Sequence, residues 1–264
     1  MVLGIMKRSA LKLKKQGLYI CAIAFALAYA ARVQAASWNE MNIRADLYSM
    51  RGQELNNGQD IAENNRRLID EINNFKPTTQ HRVDGITSEQ AQSIIQKINL
   101  NEVTGFSAGR KYDPKGIVGF CFGRALYAHL ELLRHGVAKD SIKKVFVVGP
   151  MRTGTIDWQF HVTTIVKAND HAGWYAVDNF IGRPVPLEEW FKKFQGYSTD
   201  GKLRMFVTEA NKIGPSAWEY NIKPGGLMDP FYNDYFKDMF EYFKKNRLSP
   251  EEKFFQRCSK VFAS

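Results

Sequence analysis

Cys121, His161 and Asp178 are the residues whose types and spacing could together support covalent chemistry. Cys121 stands in Gly119-Phe120-Cys121-Phe122-Gly123-Arg124-Ala125-Leu126, where a glycine gives way to a run with helical spacing. Leu126, Leu130 and Leu133 fall on one face of that run with Phe122 and Ala125. A cysteine opening a helix feels the positive end of the macrodipole and the unpaired N–H groups of the first turn. Both favour the thiolate, which is the nucleophilic form. Using it requires a base and a group that orients the base. Of the five histidines, His161 has the best address, between Phe160 and Val162 at the start of a β-rich run. The runs 160–166 and 174–177 flank the turn-forming cluster Asn169-Asp170-His171-Ala172-Gly173, which predicts an antiparallel hairpin. Pairing Lys167 with Gly173 puts His161 opposite Asp178 or Asn179, and directly opposed side chains have Cβ atoms about 5 Å apart. Asp178 can then accept a hydrogen bond from one imidazole nitrogen while the other faces the cysteine. Singly, the three read as a small buried hydrophobe, a strand histidine and a turn aspartate. Together they make a nucleophile, a base and an orienter. His129 reads as packing, and His135 and His171 as solvent-facing.

The elements that must hold these residues follow from periodicity. Residues 37–77 read as polar helix with a thin apolar stripe (Trp38, Met41, Leu47, Met50, then Ile61, Leu68, Ile72), broken at Asn56-Asn57-Gly58. Thr87-Ser88-Glu89-Gln90 is a capping box opening a helix to about Ile98. The loop 105–116 delivers the chain to Cys121, whose helix ends near His135, with Gly136 as the C′ residue. Strands are predicted at 144–148, stopping at Gly149-Pro150, and at 160–166 and 174–177. Residues 182–186 are predicted to leave the sheet, and a helix to begin at Leu187. Met228 to Phe243 carries an aromatic stripe that reads as core packing (Phe231, Tyr232, Tyr235, Phe236, Phe240, Phe243), and Ser249-Pro250-Glu251-Glu252 starts a last helix. Helices, then strands, then helices make an α+β chain.

Charge and cysteine usage narrow the function classes. The chain of 264 residues has a net charge of +10. Six of its basic side chains (Lys7, Arg8, Lys12, Lys14, Lys15, Arg32) lie in residues 1–35, which hold no acidic one, leaving 31 basic against 27 acidic, or +4. No basic stripe or nucleic-acid motif stands out in that remainder, so nucleic acid is not an expected partner. Residues 1–35 read as a secretory signal: a basic stretch, the apolar run 17–30 and Val33-Gln34-Ala35 before a cut after Ala35. The apolar run is too short for a comfortable membrane span, which favours a cleaved signal over an uncleaved anchor. The expected localisation is secreted or periplasmic, with no stable membrane association after cleavage. Cys21 lies in the signal, so the mature chain holds only Cys121 and Cys258. Cys258 falls on the apolar face of its own helix, and pairing of the two is not expected.

The segment 119–194 resembles the secreted bacterial protein-glutaminases, protein-glutamine deamidases with a papain- and transglutaminase-like core. The matching residues are Cys121 with Arg124-Ala125; Trp158, Phe160, His161 and Val162; Val177-Asp178; Pro184-Val185 and Trp190. Lys144, Phe146, Val147, Gly149 and Thr153-Gly154 also look alike. Where the family has Ile-Asp-Pro this chain has Val177-Asp178-Asn179, which alters backbone stiffness beside Asp178 but no catalytic group. The family is rich in cysteines and this chain is not, so its disulfides do not carry over. The resemblance implies Cys121 as nucleophile, His161 as base and Asp178 as orienter, with the cysteine at a helix N-terminus packed on an antiparallel sheet and flanking helices around it. It also implies 81–264 as catalytic domain, behind a helical extension at 36–80 that is a candidate pro- or regulatory segment.

The expected reaction is hydrolysis of the side-chain amide of a protein-bound glutamine through a thioester, needing no cofactor and no metal. Its partner is a protein with an accessible glutamine. A transglutaminase or cysteine peptidase would use the same three residues with another acceptor or bond. An arylamine acetyltransferase would have Arg-Gly-Gly before the cysteine, where Ile117-Val118-Gly119 stand. A non-catalytic exported binding protein would not need all three residues intact.

Overall fold

The structure is a computed structural model and describes residues 40–77, 83–107, 109–113, 119–211 and 234–246. The signal and its cleavage site, Cys21, Phe231, Tyr232, the helix start at Ser249 and Cys258 lie outside the described residues. In chain order the elements are α1 (Glu40–Asn56), α2 (Ile61–Asn74), α3 (Ser88–Leu100), the short α4 (Gly109–Tyr112) and α5 (Cys121–Arg134). Then come β1 (Ile142–Thr153), β2 (Ile156–Lys167), β3 (Trp174–Val177), β4 (Val185–Pro186), α6 (Leu187–Gln195), β5 (Arg204–Glu209) and α7 (Tyr235–Lys245). The fold is α+β, with five strands in the order β4-β3-β2-β1-β5 and every neighbour antiparallel.

Strand alternation sends the two faces of the sheet to different helices. Val145, Val147, Ile165, Trp174, Ala176 and Met205 point to one side, where they pack with Ile72 of α2 and with Leu187, Trp190, Phe191 and Phe194 of α6. The other side takes α5: Thr164 donates its hydroxyl hydrogen to the Ala125 carbonyl (2.6 Å), and the Lys144 ammonium lies over the Phe122 ring (4.4 Å). Burial holds the Lys144 pKa well below the ordinary lysine value, so this cation weakens where it is deepest.

α3 opens on the expected capping box, with both Thr87 and Gln90 arms formed, and Gly136 closes α5 in the left-handed region (φ 82°). Three expectations need correction. β1 does not stop at Gly149-Pro150. A bulge between Val148 and Met151 absorbs the proline, which has no ladder N–H, and pairing resumes to Thr153. Gly149 (φ 147°) is required by its conformation. Residues 182–186 do not leave the sheet altogether, because Val185 and Pro186 pair with Ala176 and Tyr175 as a two-residue edge, the place where a sheet tolerates proline. The β2–β3 register is one residue away from the expected one, with Lys167 opposite Trp174.

α2 is stitched to the sheet at two places, the β5 edge and β3. Asn65 of α2, buried, donates to the Leu203 carbonyl (2.7 Å) and accepts from the Met205 N–H (2.8 Å). Trp174 donates its indole N–H to the Ile72 carbonyl (2.8 Å). Asn65→Ala orphans backbone groups of β5 and is expected to lower unfolding free energy by about 1–3 kcal/mol, read as a lower urea midpoint with an unchanged m-value.

Candidate functional site

The site is built where β3 ends early. β3 pairs only with residues 164–167 of β2, so the first half of β2 is bordered by β1 alone. The chain turns away because Asp178 accepts the Phe180 N–H on Oδ1 (2.9 Å), while its own carbonyl accepts from Gly182 N–H (3.1 Å). This is the local side-chain-to-backbone competition that aspartate brings to strand ends. A cleft of about 530 Å³ opens along this free edge, lined among others by Cys121, His161, Trp158, Asn179 and Phe180.

His161 lines this cleft and meets the buried Asp178 behind it. Asp178 Oδ2 lies 2.7 Å from His161 Nε2 and accepts the Trp190 indole N–H on the same oxygen (2.7 Å). The observed register, continued, would put Thr163 opposite Asp178, so His161 reaches it from two residues along the same face rather than from directly across. His161 stacks on Phe194 (centroids 4.6 Å apart, 18° between planes), which fixes the ring plane. Burial works against charge on the ring, but the Asp178 carboxylate and then Cys121 outweigh it and push the His161 pKa up to about 10. Burial likewise works against the Asp178 carboxylate. The charge of His161, the hydrogen bonds from His161 and Trp190 and the Phe180 N–H together hold its pKa below the usual value. With Nε2 committed to Asp178, Nδ1 is the nitrogen left for the hydrogen bond with Cys121 that helps raise the ring's pKa.

Cys121, a half-buried free thiol among the described residues, is the first residue of α5, which begins without a side-chain cap. It is aimed by two successive left-handed residues, Gly119 (φ 77°) and Phe120 (φ 52°). Phe120 is the one non-glycine among the described residues with positive φ, a conformation that costs about 1–2 kcal/mol. Arg124 supports the turn from below, donating to the Gly119 carbonyl from Nη1 (2.7 Å) and to the Thr104 carbonyl from Nε (3.0 Å), with its guanidinium over Phe106 (4.9 Å).

Three contributors were given no role in the site by the sequence, although Arg124 and Trp190 stand among the residues of the resemblance. Trp190 and Phe194 sit in what reads only as an amphipathic helix, and nothing in their spacing tells of a contact with Asp178 or His161. Arg124 stands one turn after Cys121, a position that hints at reach back over the helix start. The other histidines lie elsewhere. His129 is buried within α5 (4% exposed), with its pKa pushed down to about 3 by burial and then by Lys144 and Lys139. His135 is 38% exposed, 3.2 Å from Glu131. His171 does not face solvent but packs half-buried, edge-on to Tyr175 (4.5 Å). Among the described residues no cluster of His, Cys, Asp and Glu could hold a metal ion, and no helix is long and apolar enough to cross a membrane.

No family model and no curated protein matches the chain. Among solved structures, the A47Q2 mutant of pro-protein-glutaminase is similar at 18% identity and a TM-score of 0.40, over 67% of this chain and 65% of that one. Pro-protein-glutaminase itself is similar at 19% identity and 0.40, over 70% and 68%. Protein-glutaminase from Chryseobacterium proteolyticum is similar at 19% identity and 0.38, over 62% and 92%. At such identities and scores nothing transfers from those proteins to this chain.

Proposed function

We propose that this chain is an exported amidohydrolase of the protein-glutaminase kind, converting a protein-bound glutamine to glutamate and ammonia. The observation that carries the reading is the buried His161–Asp178 pair, opening onto the same cleft as a cysteine at the tip of a helix. In this reading Cys121 gives its proton to His161, and its thiolate attacks the γ-carbonyl of the glutamine. The Cys121 N–H, at the positive helix end, holds the developing oxyanion. His161 returns the proton to the departing nitrogen, releasing ammonia and leaving a thioester. A water then gives a proton to His161 as it attacks, the carbon–sulfur bond breaks, and glutamate leaves as the thiol is restored. Asp178 keeps the ring oriented and supports its charge throughout. Neither cofactor nor metal takes part.

Protein rather than free glutamine as substrate is supported by the rim. Phe106, Ile156 and Phe180 are 60%, 63% and 44% exposed, and all three line the cleft. Exposed apolar side chains gathered at one opening mark a contact surface. Arg44 of α1 lines the same cleft, which supports a regulatory part for the helical extension, while the proposed nucleophile, base and orienter all fall in the proposed catalytic domain 81–264. Export rests on the signal read in residues 1–35. Water as the acceptor rests on the motif resemblance around Arg124-Ala125 and His161.

Mass spectrometry of a glutamine-rich protein incubated with the enzyme tests the reaction. The expected product is the intact chain with glutamine replaced by glutamate. An amine adduct or a cut chain overturns the choice of water. Ile156→Ser, at the hairpin tip and away from the His161–Asp178 pair, is expected to raise KM for a protein substrate about three- to tenfold with kcat unchanged, as lost apolar contact does.

A further inference from the structure

The left-handed Phe120 raises a question that the cleft residues do not answer, namely what holds a bulky residue in that conformation immediately before the cysteine. Such a residue persists only where its surroundings over-determine it. Its ring packs in a cluster with Tyr112, from the segment just before it, and with the distant Tyr235. Tyr235, the first residue of α7, stacks face to face on Phe120 (4.6 Å, 8°). Tyr112 of α4 meets Phe120 edge-on (6.1 Å, 76°) and Tyr235 edge-on (5.2 Å, 79°). All three rings are buried, at 3% exposure or less. The cluster is tied from outside by Asp238, which accepts from Tyr112 Oη (2.8 Å) and Lys111 Nζ (2.6 Å).

A second, independent observation comes from Gly123. It lies inside α5, where its φ is not in the left-handed region, so conformation does not demand glycine there. Space does, because a Cβ at Gly123 would meet Tyr235 Cε1 at 2.2 Å and its Cζ and Oη at 2.7 Å. The Tyr235 ring therefore lies flush against the backbone of the first helical turn. Burial raises the Tyr235 pKa well above the ordinary tyrosine value, outweighing the nearby Arg124 charge, so the phenol stays neutral where it packs.

We infer that Tyr235 is a positioning residue for Cys121: wedged between the Phe120 ring and the Gly123 backbone, it locks the left-handed turn that aims the thiol and the helix N–H groups into the cleft. This rests on the proposed nucleophile. It makes α7, more than a hundred residues away in sequence, a component of the site.

The test compares Tyr235→Leu, Tyr235→Phe, Gly123→Ala and Asp238→Asn in the full chain, measuring kcat and KM for ammonia release, the pH profile of iodoacetamide alkylation of Cys121, and Tm. Ala in place of a helical Gly normally stabilises, so harm from Gly123→Ala reports the collision with Tyr235. Tyr235→Leu and Gly123→Ala are expected to lower kcat about 100-fold with KM within about twofold, and to move the alkylation midpoint upward by about one pH unit. Tyr235→Phe keeps the stack and retains near wild-type behaviour. Because both variants break one contact, the Gly123→Ala/Tyr235→Leu double variant loses no more than the worse single one. Folded variants with wild-type kcat and alkylation profile, and only a lower Tm, overturn the inference. Should Tyr235→Leu and Gly123→Ala fail to fold, Asp238→Asn decides, since it weakens only the outer tie by removing its charge. A smaller shift of the alkylation profile in the same direction supports positioning, and an unchanged profile overturns it. Absence of ammonia release from the wild type sinks the proposed reaction instead, while the alkylation profiles still report on Tyr235.

Discussion

Cys121→Ala is expected to abolish ammonia release, lowering kcat by at least about 10⁴-fold, because no other group in the cleft can form the thioester. The loss is expected with little change in fold. Cys121 is half-buried, and alanine is a better helix former at the start of α5. Far-UV and near-UV circular dichroism should therefore overlay on the wild type, with Tm within a few degrees. Removing the thiol also removes one of the influences that raise the His161 pKa, behind those of Asp178. The His161 proton resonances should accordingly titrate at lower pH in the variant, though still well above a free histidine. Equal ammonia release by both proteins would sink the assignment of Cys121 whatever the circular dichroism shows.

How much of this arrangement can be read from the chain depends on whether the information is local. The helix starting at Cys121 is local: a glycine, then a 3.6-residue apolar period, then Gly136 as its stop. So are the Thr87 capping box and the helix at Leu187, each of which carries its own start signal. The hairpin is nearly local. Its turn cluster is plain, but the register rests on one residue of slack in a turn that closes with Ala168 N–H on the Gly173 carbonyl (3.1 Å), and periodicity cannot resolve that slack. β4 and the bulged end of β1 are missed for one reason: proline reads as a strand terminator, and only the tertiary context shows it at an edge or within a bulge. β5 is missed because Phe206 breaks the alternation of Leu203, Met205 and Val207 with polar residues, and because Arg204 looks exposed and is in fact buried, its guanidinium held by Glu54 (2.6 Å) and Asn65 (3.2 Å). The gathering of Cys121, His161 and Asp178 is partly legible, through hairpin geometry and chain order. Their supports are not. The indole on Asp178, the ring beneath His161 and the tyrosine behind Phe120 come from helices whose apolar stripes say only that something is covered.

Asp178→Asn is expected to lower kcat about 10³- to 10⁴-fold while leaving Cys121 in place. The carboxylate accepts three donors, His161 and Trp190 on Oδ2 and the Phe180 N–H on Oδ1, and an amide cannot serve all of them. With its oxygen toward His161 and Trp190, the NH₂ collides with the Phe180 N–H. Flipped, the NH₂ faces the Trp190 indole N–H and draws a lone pair from His161 Nε2, which forces the ring proton onto Nδ1. That tautomer points a proton at Cys121 and cannot take one from it. Either way a buried donor is left unsatisfied, at a cost of about 1–3 kcal/mol of stability. The pH dependence separates this from simple destabilisation. His161 is pushed up to about 10 in the folded chain, above its ordinary value near 6.5. Its stabilising share is therefore complete below about pH 6.5 and is lost as pH rises through about 10. Asp178 is shifted down, so its share is present above the ordinary carboxylate range and is lost as pH falls through its lowered folded value. The pair stabilises most between about pH 4 and 6.5. In Asp178→Asn the carboxylate is gone, and burial, the largest influence on the ring, pulls the His161 pKa down instead of being outweighed. Urea midpoints of wild type and variant should thus differ most at the acid end of that window, about pH 4 to 5, and draw together toward pH 10, and a difference independent of pH would show that the charge on His161 owes nothing to Asp178.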